Sequence, residues 1–258
     1  MDLLQAIDVR RSRRKYLTTP LPESTVTALR DLITRLDESD GVGASRHGRG
    51  RLELVTDNGA AFDGLRRSYG MFTGVRHYVG LIADRRDPDS FEKLGYDGEI
   101  VNLTAVALGL GTCVVGGSFD RGACPFALSK DETVVCVIVV GQVDDAMSVR
   151  ENLVRGAMHR RSKTMEQMTD ATPPWPDWFR DGLAAARKAP SAANRQPVKF
   201  SLTDGVATAA TPASNDPLMP VDLGIAKLHF ALGAGGGTWQ WGSGGAFAGA
   251  PAARESSQ

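Results

Sequence analysis

The chain has 258 residues and a mass of 27.5 kDa, with 42% hydrophobic and 23% charged residues and 30 Lys+Arg set against 30 Asp+Glu. That length supports a core without disulfide or metal staples, and it accommodates one large domain or two small ones. Zero net charge disfavours a nucleic-acid coat or a membrane-surface binder, since both need a basic excess, although a local basic patch could still hold a small anion. Three cysteines, Cys113, Cys124 and Cys136, form no Cys-x-x-Cys pair and read as reduced, buried thiols. The amphipathic start lacks the apolar core and cleavage site of a secretory signal, and the longest apolar run, Val134 to Val140, is too short to span a bilayer. A soluble, cytoplasmic protein with no nucleic-acid or membrane partner is the expectation.

In chain order, Leu3, Leu4, Ala6, Ile7 and Val9 predict a short helix that ends in a basic run from Arg10 to Lys15. Pro20 and Pro22 break the chain before Glu23 opens a second helix, with Val26, Leu29, Leu32 and Ile33 at helical spacing. Residues 37–50 read as a loop, and Leu52 to Thr56 as an edge or half-buried strand ended by the turn Asp57-Asn58-Gly59. His77 to Ala83 and Thr133 to Val140 predict strands, the second β-branched and central. Between them, Asp97 to Leu110 predicts an apolar helix running into Gly109, Gly111, Gly116 and Gly117. A Pro-rich connector, Thr169 to Trp178, precedes a helix stopped by Pro190, an irregular turn, and a strand from Val198 to Leu202. From Gly242 onward Gly, Ala and Ser dominate, and residues 243–258 read as a disordered tail.

An internal repeat organises these elements. Arg10-Arg11-Ser12 recurs as Arg160-Arg161-Ser162, each followed by a Pro-containing connector, a helix and a strand ending in Thr-Asp. Asp97-Gly-Glu-Ile100 leading to Gly111-Thr112 is matched by Asp222-Leu-Gly-Ile225 leading to Gly237-Thr238. The chain therefore divides into a first half, 1–150, and a shorter second half, 151–242. The second half offers no obvious counterpart of the strands at 77–83 and 133–140.

Three segments could carry chemistry. The guanidinium groups of Arg10 to Arg14 match phosphate oxygens bidentately and Ser12 adds a hydroxyl, although a charge run at a helix end is commonly a solvated face. The turn Ala189 to Pro197 exposes backbone donors and acceptors and adds Ser191, Asn194 and Gln196, a set able to read the edge of a flat heterocycle. An unliganded helix-to-strand turn would look the same. The glycine run 109–117 follows a helix instead of opening one, so it is no dinucleotide fingerprint. It could let a planar ring lie on the main chain at Gly116 and Gly117, or it could simply pack in the core. His47, His77, His159 and His229 lack metal-ligand spacing, and no nucleophile elbow or Cys–His arrangement occurs. No metal and no protein acid or base is assigned.

Arg10 to Tyr16, the Pro-Ser-x-x-Asn element at 190–194 with its Gln196-Pro197, and the helix into Gly109 to Gly117 together resemble the FMN-dependent nitroreductase superfamily. The similarity is closest to the branch in which two family-like halves are fused in one polypeptide. The resemblance implies an α+β fold, a mostly antiparallel sheet flanked by helices, duplicated as a pseudo-dimer that acts as a monomer or pairs further. It implies FMN with its phosphate on Arg10, Arg11, Ser12 and Arg14, and its N5 and O4 near the N–H groups of Gly116 and Gly117. Pro190, Ser191, Ala192, Asn194 and Gln196 would come from the other half. It implies hydride transfer from NADH or NADPH to a small-molecule acceptor such as a nitroaromatic or quinone, with non-catalytic FMN binding as the alternative. A second site would need Arg160 to Lys163, the loop 37–50 and residues 235–241. That loop has no Pro-Ser-x-x-Asn, and Trp239 and Trp241 add bulk, so one FMN per chain is expected.

Overall fold

The computed structural model describes residues 1–38, 50–63, 71–87, 89–148, 151–153, 156 and 162–249. Helix α1 (Leu3–Val9) starts at a capping box: the Asp2 carboxylate accepts from the Gln5 N–H, and the Gln5 amide oxygen accepts from the Asp2 N–H. It buries Ala6 and Ile7 and stops at Arg10, whose φ/ψ of −54°/131° turns the chain extended. The basic run is therefore not the last turn of a helix. It lies along the sheet edge, with the Arg13 N–H donating to the Thr112 carbonyl at 2.8 Å.

Helix α2 (Glu23–Glu38) buries Leu29 and Ile33, as their spacing predicts. The first sheet has β1 (Gly50–Val55), β2 (His77–Asp84), β3 (Gly111–Val115) and β4 (Glu132–Gly141), all antiparallel in the order β1-β2-β4-β3. β1 is the half-buried edge, and β4 is central and buried from Val134 onward. Helix α3 (Asp89–Ala107) begins eight residues before the predicted Asp97, because Phe91 and Leu94 already point into the core. Gly109, at φ +84°, ends the helical path.

In the second half, α4 (Met165–Met168) and α5 (Asp177–Ala186) precede β5 (Lys199–Thr203), β6 (Val206–Ala210), α6 (Leu218–Gly233), β7 (Thr238–Trp239) and β8 (Gly245–Ala248). The strands form a second antiparallel sheet in the order β5-β6-β8-β7, the same order as the first. Two expectations are corrected here. The missing strands of the second half exist as β6 and β8, built from small residues that carry little apolar signal. The expected tail is ordered through β8, since Phe247 is buried against Trp239 at 4.8 Å between ring centroids; residues 250–258 lie outside the described set. The fold is thus α+β, with two four-stranded antiparallel sheets and helices, in keeping with the expected internal duplication.

α3 and α6 pack against each other at the centre. They approach so closely that a Cβ on Gly224 would sit 2.0 Å from the Glu92 carbonyl oxygen, and one on Gly95 would sit 2.3 Å from that of Val221. Polar pairs cross the same seam. Lys227 Nζ meets Glu92 Oε1 at 2.5 Å, and His229 Nε2 meets Glu99 Oε1 at 2.8 Å. One cluster of buried apolar side chains contains Leu81 and Ile138 of the first half with Phe200 and Phe230 of the second. Among the described residues, no helix is long and apolar enough to cross a membrane.

Candidate functional site

A cavity of about 660 Å³ opens where the end of α1, the segment after β3, the turn after α5 and the start of α6 converge. Its wall includes ten of the eleven residues singled out in the sequence: Arg10, Arg11, Ser12, Arg14, Gly116, Gly117, Pro190, Ser191, Ala192 and Asn194. The first six come from one half and the last four from the other.

The basic segment is held by a residue the sequence did not flag. The Glu151 carboxylate accepts from the N–H groups of Arg14 (2.7 Å), Lys15 (3.1 Å) and Ser148 (2.8 Å) and pairs with the buried Arg13 guanidinium at 3.2 Å. Burial raises its pKa, but these donors outweigh burial and hold it at about 2. Arg13 is thereby withdrawn from the pocket, while Arg10, Arg11 and Arg14 remain in its wall. Arg10 Nη2 donates to the Lys188 carbonyl at 3.1 Å, tying the two halves together. Its Nε is buried without a hydrogen-bond partner among the described residues, leaving one donor for a ligand. Arg187 and Lys188, also missed, add cations from the second half; Lys188 is paired with Asp8.

The glycine segment leaves strand β3 at Val115. The Gly116 carbonyl accepts from Arg121 Nη2 at 2.6 Å. Across a trans peptide the next N–H points the opposite way, so Gly117 N–H faces away from Arg121. A Cβ on Gly117 would meet nothing within 4 Å, whereas one on Gly116 would press on Leu218 Cδ1 at 2.4 Å. Main chain therefore forms this stretch of wall.

The turn after α5 is an unusual backbone. Ala193, Asn194 and Gln196 have φ of 51°, 51° and 46°, in the left-handed region that costs a non-glycine residue about 1–2 kcal/mol. Four hydrogen-bond donors hold it. The Gln196 N–H donates to Ser191 Oγ at 2.9 Å, and the Ala192 N–H to both Asp222 carboxylate oxygens at 3.2 Å each. The Gln196 amide accepts from the Lys163 N–H and donates to the Arg187 carbonyl, both at 2.7 Å. Gln196 is thus engaged inside the turn and is absent from the cavity wall.

Asp222, on the first turns of α6, also lines the cavity. Burial pushes its carboxyl up to about 7, against the Ala192 N–H and Arg195, which favour the anion. The wall thiols Cys113 and Cys136 are both raised by burial, the second to about 12, so neither is a thiolate nucleophile at neutral pH.

Among the described residues, packed side chains occupy part of the corresponding region of the second half. Trp239 is buried, donates from Nε1 to the Lys227 carbonyl at 2.9 Å, and packs against Phe230 and Phe247. The Gly242 N–H is taken by Glu92 Oε2 at 2.7 Å, and Trp241 packs edge-on to Tyr96. Arg160, Arg161 and residues 39–49 lie outside the described set.

The fold matches the crystal structure of a protein described as a "putative nitroreductase" from Thermotoga maritima, with TM-score 0.65 and 20% identity, over 96% of this chain and 92% of that one. Weaker likenesses, each with TM-score 0.43, are to an FMN-dependent nitroreductase from Clostridium difficile (18% identity, 60% of this chain and 97% of that) and a nitroreductase with bound FMN from Bacteroides fragilis (15%, 57% and 92%). The family model described as "Putative TM nitroreductase" matches residues 2–234, and the chain belongs to that nitroreductase family. No curated protein matches it.

Proposed function

We propose that the pocket binds one FMN and that the protein is an oxidoreductase passing hydride from NADH or NADPH to a small electron-poor acceptor, a nitroaromatic or a quinone. The observation that carries this reading is the convergence, from two halves, of an arginine set with an unpartnered buried donor, a main-chain wall and a rigid polar turn. The residues fit the group. Arg10, Arg11, Ser12 and Arg14 would hold the phosphate; Gly116 and Gly117 would lie along the ring edge; Pro190, Ser191, Ala192 and Asn194 would close over it from the other half. Bound FMN would supply two-electron chemistry, taking hydride at one time and giving it at another.

The protein's own part is placement and electrostatics. Arginines and backbone N–H groups favour negative charge near the ring, which promotes reduction, and the buried walls exclude water. Because both halves belong to one chain, no second subunit is required for the pocket. The test is the visible spectrum of the purified protein, with and without added FMN, before and after anaerobic NADH or NADPH. Bleaching followed by acceptor-dependent recovery is expected. Bound FMN that no nicotinamide bleaches would instead mean a storage protein, and colourless protein after FMN addition would refute the reading. R10A and N194A each should weaken FMN binding by about tenfold or more.

A further inference from the structure

Two carboxyl groups line the cavity, Asp8 and Asp222, and they differ in kind. Asp8 is exposed and ion-paired with Lys188. Asp222 is 5% exposed, and among the described residues no cation forms an ion pair with it. Its nearest candidate, Arg195, is committed to Asp216 at 2.6 Å. What Asp222 does have is one backbone donor, the Ala192 N–H, at the centre of the turn that closes the pocket. An acid placed so braces the turn without neutralising a cation, and its place in the cavity wall gives it access to whatever lies there.

Resting on the reading above, we propose that the Asp222 carboxyl is the proton donor of the pocket. Hydride transfer to a quinone or nitro group delivers two electrons and one proton and leaves the acceptor short of a second proton. The Asp222 O–H bond breaks as an O–H bond forms on the acceptor. Bound FMN, once reduced by the nicotinamide, would supply the electrons as hydride, and the carboxylate regains its proton from water.

The charged and titratable groups facing Asp222 are Arg195 after the turn, Asp216 before α6 and the Cys136 thiol on β4, with Arg121 behind Cys136. Asp216 opposes ionisation and Arg195 favours it, while burial is the largest influence and keeps the acid protonated to near neutrality. The group is therefore a loaded acid below about pH 7 and an empty one above it.

Two measurements test this. In flavin-free protein, infrared difference spectra should show a protonated-carboxyl band that disappears with a midpoint near pH 7 and is missing in D222N, where the Asn carbonyl still accepts from Ala192. In FMN-loaded protein, quinone reduction should fall above that pH and drop about 100-fold in D222N. Reduction of ferricyanide, which takes electrons without a proton, should fall by a far smaller factor than quinone reduction in D222N, and in the wild type it should not show the decline above pH 7. A carboxyl already ionised at pH 5, or quinone reduction by D222N equal to wild type, overturns the proposal while leaving the oxidoreductase reading intact. Wild-type protein that nicotinamide cannot reduce overturns both. If D222N does not fold, the infrared titration and the two wild-type pH profiles decide alone.

Discussion

Replacing Glu151 by Gln should remove the clamp on the basic segment at a cost that the structure sets. The carboxyl is 2% exposed and held at about 2 against an ordinary 4.5, a preference for the ionised folded state worth roughly 3 kcal/mol. Gln keeps one carbonyl acceptor but leaves the Arg13 guanidinium, itself 9% exposed, without its counter-charge. In a chain of this size, 3 kcal/mol lowers the melting temperature by roughly 6–12 °C. The sign of the pH dependence follows from the depressed value. The stabilisation is complete above about pH 5, declines as pH falls below the unfolded-state value, and is gone near pH 2. Urea unfolding of wild type and E151Q at pH 7, 5 and 3.5 measures the gap, with the acidic point chosen where the wild type still folds. A gap below 1 kcal/mol at pH 7, or one that does not narrow at pH 3.5, would refute the argument that this carboxylate anchors the arginines.

Two further outcomes test the fold. G224A puts a methyl 2.0 Å from the Glu92 carbonyl oxygen, so α3 and α6 must separate; a loss of about 3 kcal/mol is expected in thermal unfolding, and a melting temperature within 1 °C of wild type would contradict the close approach. Titration with FMN followed by fluorescence quenching should saturate at one equivalent per chain, because Trp239 and the Glu92–Gly242 bond occupy the second half's counterpart. Saturation at two equal equivalents would show that the filled region opens.

What could be read from the residues depended on how apolar each segment is. β2 and β4 stand out because buried β-branched runs have few alternatives, and the α2 spacing gives its buried face directly. β6 and β8 escape because Val206 to Ala210 and Gly245 to Ala248 are mostly small residues, held by pairing and by Phe247 alone among large side chains. Ten of the eleven site residues reach the cavity because the chemistry of an anion site and a polar turn is local. Glu151 carries the local Ser148-x-x-Glu151 spacing of a capping box, but its contacts to Arg13, Arg14 and Lys15, like that of Asp222 to the Ala192 N–H, join residues far apart in the chain and leave no pattern. Asp222 did leave one trace: it is the single acid in the helix Leu218–Gly233.

Repetition of one strand order within a single polypeptide removes a constraint that identical subunits impose. In a symmetric dimer every substitution enters twice, so one interface cleft cannot be surrendered while its twin is kept. Here the two copies mutate separately, and the second has placed buried aromatic side chains and a lysine, paired with Glu92 of the first, on and just beyond its long helix. The described pocket has walls from both copies, so those walls meet by an intramolecular encounter.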